Sequence, residues 1–436
     1  MKKVFLMRPL LAASALLYGC AVHAAPAERP AISGWAVLPA ATFADGPTSG
    51  QFAAPNPYGT NLPPYQGRQP VQGFSAVLRG PGHDTFRFLT DNGFGARANS
   101  ADALLRMYTV KVDFRTRRGG TATVAPANWR SGRPAAAFDA STRITLNDAN
   151  HQLGLPLQAD LTHYYGDAVL PAVDARIRDK RLLTGADLDV ESVRRDKHGN
   201  FWFGDEFGPY LIKTDGRGTV LRPAIQLPGV RAPENIDVLN GSAQANLGSS
   251  GGFEGMAINA SGTRLYTLLE KTVAGDPPGL LRISEFDLAS EAYTGVSWRY
   301  QLDPQGTAIG DMTAVDDEHF IVIERNGGTA TSTTPAFKKL YLVDISGVPN
   351  GGTARKHELV DLMNLADPDD LNRDGKTTYT MPYVTIEDVL VLDDHSLLVV
   401  NDNNFPYGGG RTLASDDTEF VRIKLPRGLR RHGASQ

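Results

Sequence analysis

The strongest constraint on this chain is a strand hairpin that recurs with a carboxylate at the same place. Glu191, Glu254, Asp311 and Glu387 each open an apolar run, a polar turn follows, and a second apolar run comes after it. The second runs end in Asp205-Glu206, Glu270-Lys271, Glu324-Arg325 and Asn401-Asp402. An antiparallel hairpin returns to the edge where it began, so the opening and closing residues lie on one face. Several such hairpins set about an axis gather acidic groups at one mouth. The starts lie 63 (191 to 254), 57 (254 to 311) and 76 (311 to 387) residues apart, which leaves room for long loops.

Each hairpin is followed by a third strand, as in "LLRISEFDL", "KKLYLVDIS" and "TEFVRIKL". Radial repetition of such sheets protects their edges, and the expectation is an all-β propeller of five to six four-stranded antiparallel blades. Gly 45 and Pro 28 support many short strands and turns. The last blade is one strand short, and the strand near Trp35 is expected to close the ring. Residues 115–185 are the least periodic; a sixth blade would lie there or in 326–384.

The N-terminus reads differently. Lys2, Lys3 and Arg8 precede the apolar run Leu10 to Leu17, and Val22-His23-Ala24 offers a secretory cleavage pattern. The expected organisation is a signal peptide over 1–24, a wrapping segment over 25–72, a propeller over 73–426 and a basic tail over 427–436. The apolar run is too short to span a membrane. Leu17-Tyr18-Gly19-Cys20 also resembles a lipoprotein box, so a lipid anchor at Cys20 and an outer-membrane location stand as the alternative to a periplasmic or secreted protein. Cys20 is the only cysteine, which excludes an intramolecular disulfide. The formal charge of −4 becomes about −7 once the three leader cations are removed, a balance that argues against nucleic acid as a partner. A monomer is expected.

Converging carboxylates are costly unless a cation neutralises them. Hard oxygen ligands suit calcium, with Glu191, Glu254, Glu387, Asp205 and Asn401 as first candidates and Asp311 and Asp402 behind them. The alternative is that these residues serve turns and contacts between blades. Glu206, Glu270 and Glu324 are candidates for general base, and Arg97, Lys271, Arg325 and Arg411 for receiving an anionic group. Phe207 and Tyr210 in "DEFGPY" would wall a ligand or plug the channel. Asp370 to Gly375 matches the start of a calcium loop, but Met381 stands where the closing Glu belongs, leaving a looser loop or an Asx-rich turn.

The segments "DNGFGARANSADALLRMY", "LTGADLDVESVRRDKHGNFWFGDEFGPYLIKTD", "GFEGMA", "IGDMTAVDDEHFIVIERN" and "TIEDVLVLDDHSLLVVNDNNFP" resemble the phytase-like family described as having esterase-like activity of phytase. The resemblance covers roughly Trp35 to Leu425. It implies hydrolysis of an ester or phosphoester by a calcium-bearing propeller, with a small-molecule substrate. The competing reading is a non-catalytic ligand-binding or scaffold propeller holding a structural cation.

Overall fold

The computed structural model describes Met1 and residues 29–430, so the proposed leader, Cys20 and the last six residues lie outside the described part. Strands fall into five sets of four. The first runs Phe74–Arg79, Thr85–Thr90, Arg106–Asp113 and Thr123–Pro126; the second Val190–Arg195, Phe201–Asp205, Tyr210–Thr214 and Ile225–Gln226. Phe253–Ile258, Arg264–Leu269, Leu280–Asp287 and Ala292–Gln301 make the third; Ala308–Ala314, His319–Arg325, Lys338–Asp344 and Arg355–Asp361 make the fourth. The fifth combines Asp388–Asp393, Ser396–Val400 and Thr418–Lys424 with the N-terminal strand Ala31–Leu38. Within every set the neighbours are antiparallel.

The sets stand face to face around a ring, because each pair of neighbours shares an apolar cluster. Ala76 and Leu89 of the first pack with Val190, Val193 and Phe203 of the second. Trp202 and Leu211 pack with Phe253 and Met256. Leu268 and Ile283 meet Ile309, Met312 and Phe320, and Ile321 and Leu340 meet Val389 and Leu397. Leu398, Val400 and Phe420 then return to Phe74 and Phe88, completing the circle. The first strand of each set is innermost and packs on the first strands of both neighbours. Covered on both faces, these strands lose the alternation of a half-exposed sheet: Val190–Arg195 is buried up to its last residue. Burying a side chain such as Phe253 contributes about 1.5–3 kcal/mol.

The N-terminal strand does close the fifth set. It runs antiparallel to the last strand from Ala31 opposite Lys424 to Leu38 opposite Thr418, with alternating burial. Its free edge touches the first set in parallel at Val37 and Thr123, and Trp35 bridges to Arg115. Among the described residues, neither 115–185 nor 326–384 holds a sixth set. The former contributes the outer strand Thr123–Pro126, the short strand Arg143–Thr145 and a helix over Ala175–Lys180. The latter adds only the short pair Leu365–Ala366 and Thr378–Tyr379 to strands of the fourth set.

Candidate functional site

A repeated irregularity positions the axial side chains. In the first set Phe74 pairs with Thr90 and Ala76 with Leu89, so Ser75 is skipped. The same bulge skips Glu191 in the second set, Glu254 in the third and Gly310 in the fourth. Glu387 precedes the first pair of the fifth, Asp388 with Val400. A bulge re-aims its extra residue and bends the strand. Ser75, Glu191, Glu254, Gly310 and Glu387 are therefore equivalent, and Asp311 is one residue out of register with the acids it resembles in sequence. The equivalent of Asp311 in the fifth set is Asp388. A Cβ on Gly310 would lie 2.0 Å from the Ile386 carbonyl oxygen, so no side chain fits at that member of the ring.

The closing residues form a second ring. At corresponding places on the second strands stand Asp91, Glu206 and Glu270, one step beyond the paired positions, Arg325, which still pairs with Ala308, and Asp402, two steps beyond Val400. Arg325 is the exception in charge, and it reaches Glu254 at 3.4 Å, Glu270 at 3.2 Å and Glu387 at 3.4 Å. Burial works against its charge, but these three carboxylates more than offset that and hold its pKa above the ordinary value. Asp189 joins the group through Ser250.

Burial and mutual repulsion make these carboxyls reluctant to ionise. Glu191, Glu206 and Glu254 are 8%, 4% and 3% exposed. Burial first, and neighbouring carboxylates second, push all three well above the usual range. Glu387 is pushed up to about 8 by burial and by Asp402. Asp189 Oδ1 and Glu206 Oε1 are buried and have no hydrogen-bond partner among the described residues. Such orphaned acceptors cost about 1–3 kcal/mol each, which makes them receptive to a proton or a cation. As the side chains stand, no group of three or more His, Cys, Asp or Glu among the described residues is set to hold a metal ion.

Of the residues singled out in the sequence, Glu191, Glu254, Glu387, Asp402, Glu206, Glu270 and Arg325 come together here, and Lys271 stands at their edge. Lys271 Nζ donates to the Ser249 and Ser250 carbonyls and lies 3.6 Å from Glu270. Asp205 instead accepts the Asp189 and Gly208 amides while burial raises its pKa to about 8. Asn401 is turned to backbone, accepting the Glu419 amide and donating to Asp402 and Asp417 carbonyls. Asp311 is paired with Arg194 and accepts the Met312 and Val389 amides. Glu324 is turned away from the mouth, where Tyr300 of the third set and Lys356 of the fourth donate to it at 2.5 Å. Arg411 pairs with Glu419 against the rings of Tyr379 and Tyr383, and Arg97 donates to the Ala186 carbonyl. Phe207 is 3% exposed, and Tyr210, 2% exposed, accepts the Ile236 amide. Asp370 accepts the Gly375 amide in a tight turn.

Asp91 and Asp189 are members that the hairpin pattern did not mark. Asp91 occupies the same place after its hairpin as Glu206 and Glu270, but the first hairpin opens with Ser75, so the acidic signature is half missing. Asp189 lies two residues before Glu191 in "DLDVES".

An uncharacterized secreted protein of Arthroderma benhamiae is 29% identical over 106 residues, 20% of this chain and 20% of that relative, so the shared stretch spans about a fifth of its length. Among solved structures, a family-43 β-1,3-galactosidase covers 86% of this chain and 60% of its own at 9% identity, with a TM-score of 0.40. An α-L-arabinofuranosidase of Podospora anserina covers 91% of this chain and 99% of its own at 10% identity, with a TM-score of 0.35. A family model described as phytase-like, esterase-like activity of phytase, matches residues 69–405. With a match over most of its length, the chain belongs to the phytase-like family.

Proposed function

We propose that the protein is an exported five-bladed propeller that hydrolyses an ester or phosphoester at the axial mouth with the help of a bound cation such as calcium. The observation that carries this reading is a ring of buried carboxyls, with unpartnered oxygens on Asp189 and Glu206, gathered around Arg325. An anionic substrate is repelled by such a ring, and Arg325 is already shared by three carboxylates. A cation is therefore a requirement of the reading. Asp189, Glu191 and Glu206 carry hard oxygen donors on the side of the mouth that Arg325 does not serve, and they would have to draw closer together to hold such an ion. When bound, such an ion supplies charge for a developing oxyanion and acidifies a water.

The residues of the chain have separate tasks in this scheme. Glu270 is the general base, since it lies beside Lys271 at the half-exposed edge where substrate would enter. Arg325 holds Glu254, Glu270 and Glu387 in place and contributes positive charge toward the mouth. Glu324, neutralised by Lys356, has no part in the chemistry.

The test is turnover of phosphomonoesters, phosphodiesters and carboxylic esters with calcium and with chelator, alongside melting temperature. Calcium-dependent turnover that Glu270→Gln removes supports the enzyme. Glu191→Gln combined with Glu206→Gln should also abolish the calcium-dependent rise in melting temperature, and an unchanged rise would sink the axial assignment. A scaffold with a structural cation is the second reading, favoured by the low exposure of the ring acids. Calcium stabilisation without turnover would select it.

A further inference from the structure

A large cavity lies away from the acidic mouth and has the opposite charge. It measures about 1310 Å³ and is walled by the first and second strand sets, the helix Ala175–Lys180, the turn after Thr123–Pro126 and residues 45–47. Glu191 and Arg195 mark the two places on one strand: Glu191 belongs to the mouth and Arg195 to the cavity, about 13 Å apart at the usual rise per residue.

Some of the cavity's cations are already engaged. Arg143 is 2.6 Å from Asp45, and Arg176 pairs with Asp174. Arg87, Arg106, Arg130, Lys180, Arg195 and Arg217 also line it, none in an ion pair with a carboxylate among the described residues; the acids in the lining are Asp45, already paired with Arg143, and Asp215. Arg130, Lys180, Arg195 and Arg217 are exposed, with no carboxylate drawn in to screen them. Arg106 is 3% exposed; one guanidinium nitrogen serves the Asp45 carbonyl and the Tyr108 hydroxyl, while Nε has no partner. Arg87 lies over the Trp129 ring at 4.2 Å, donates to the Trp129 carbonyl, and likewise leaves a buried Nε unpartnered.

Six like charges around one cavity, in a chain of net charge −4, repel one another and have only Asp45 and Asp215 among the lining residues to offset them. Surface cations are ordinarily solvated, but two of these are sunk in the wall with nitrogens that lack acceptors. An isolated phosphate engages two or three such groups; the spread of cations and the volume call for several oxyanions on one molecule. Guanidinium forks match phosphoryl oxygens in pairs, and a phosphoryl group brings more charge per atom than a carboxylate. We infer that the cavity between the first and second strand sets binds a small polyanion carrying several phosphoryl groups, at a site separate from the axial mouth. This inference does not depend on hydrolysis at that mouth.

The test is calorimetric titration of the full chain with sodium tripolyphosphate in EDTA, which removes any contribution from calcium, with citrate as the carboxylate control. The expected result is saturable one-to-one binding, weakened at least about tenfold when Arg195→Ala and Arg217→Ala are combined. Arg117→Ala with Arg118→Ala removes the same charge from an exposed turn outside the cavity and should leave binding within about twofold. Absence of saturable binding, or equal losses in the two double variants, would overturn the site. Citrate binding as tightly as tripolyphosphate would overturn its phosphoryl assignment.

Discussion

The axial mouth and the cavity between the first two strand sets solve the problem of concentrated like charge in opposite ways. At the mouth the acids are buried, and a single arginine is shared among Glu254, Glu270 and Glu387. In the cavity, four of the six unpaired cations stay exposed to water, which screens them without any protein partner. The first arrangement makes charge part of what holds the ring together; the second leaves charge available to something outside the chain. Substitutions at the two places should consequently differ in what they damage.

Arg325→Ala should have the largest effect, because it strips three buried carboxylates of their common partner. A loss of about 3–5 kcal/mol is expected in chelator by urea unfolding, with part of it recovered by calcium. A loss under about 1 kcal/mol would mean that the acids simply take up protons and that the arginine is dispensable. Gly310→Ala should follow, at about 2–3 kcal/mol, since its Cβ would collide with the Ile386 carbonyl, a backbone atom of the adjoining set that cannot swing aside. A neutral result would show that the fourth and fifth sets can part slightly at the mouth.

The pH dependence comes next and separates the regions by sign. Glu387 and Asp205 have folded values raised to about 8 from ordinary values of 4.5 and 3.8, so the native state holds their protons more tightly than the unfolded chain does. Their stabilising contribution is complete below about pH 4 and is lost as pH rises through about 8. Between pH 5 and 8 in chelator the unfolding free energy should fall by at least about 1 kcal/mol, and calcium should flatten that slope. Asp45 in the cavity behaves in the reverse sense. A hydrogen bond from Arg143 holds its pKa low, so its contribution is present above 3.8 and is lost only as pH falls below that range. A stability that rose from pH 5 to 8 would contradict the account of the mouth. Arg217→Ala should matter least, changing stability by less than about 0.5 kcal/mol, because its side chain is exposed and unpaired.

The two regions were also unequally legible in the sequence. Glu191, Glu254 and Glu387 could be found because the hairpins repeat and each acid stands beside an apolar run. Asp311 was drawn into that pattern because the eye aligns acids. The bulge aligns Gly310 instead, and a bulge is a property of pairing between strands that a linear pattern does not display. Arg325 was legible as a functional cation, but its three carboxylate partners come from two other strand sets and could not be read locally. The cavity was hardly visible at all. Trp129, Arg130, Arg143 and Lys180 come from the aperiodic stretch 115–185. They meet Arg87, Arg195 and Arg217 through packing between the first and second sets, which local patterns do not display.

The strand Ala31–Leu38 lies beside Thr418–Lys424 along nearly its whole length. A chain delivered N-terminus first therefore exposes an unpartnered strand edge until Thr418–Lys424 has arrived, and the circle cannot lock before then. Contacts between residues nearly four hundred positions apart make for slow assembly. In the meantime the open edge is available to strands of other copies. Yield from refolding should accordingly fall with protein concentration more steeply than native stability alone would suggest, and the clasp that secures the finished ring is also the step most exposed to error while it is being made.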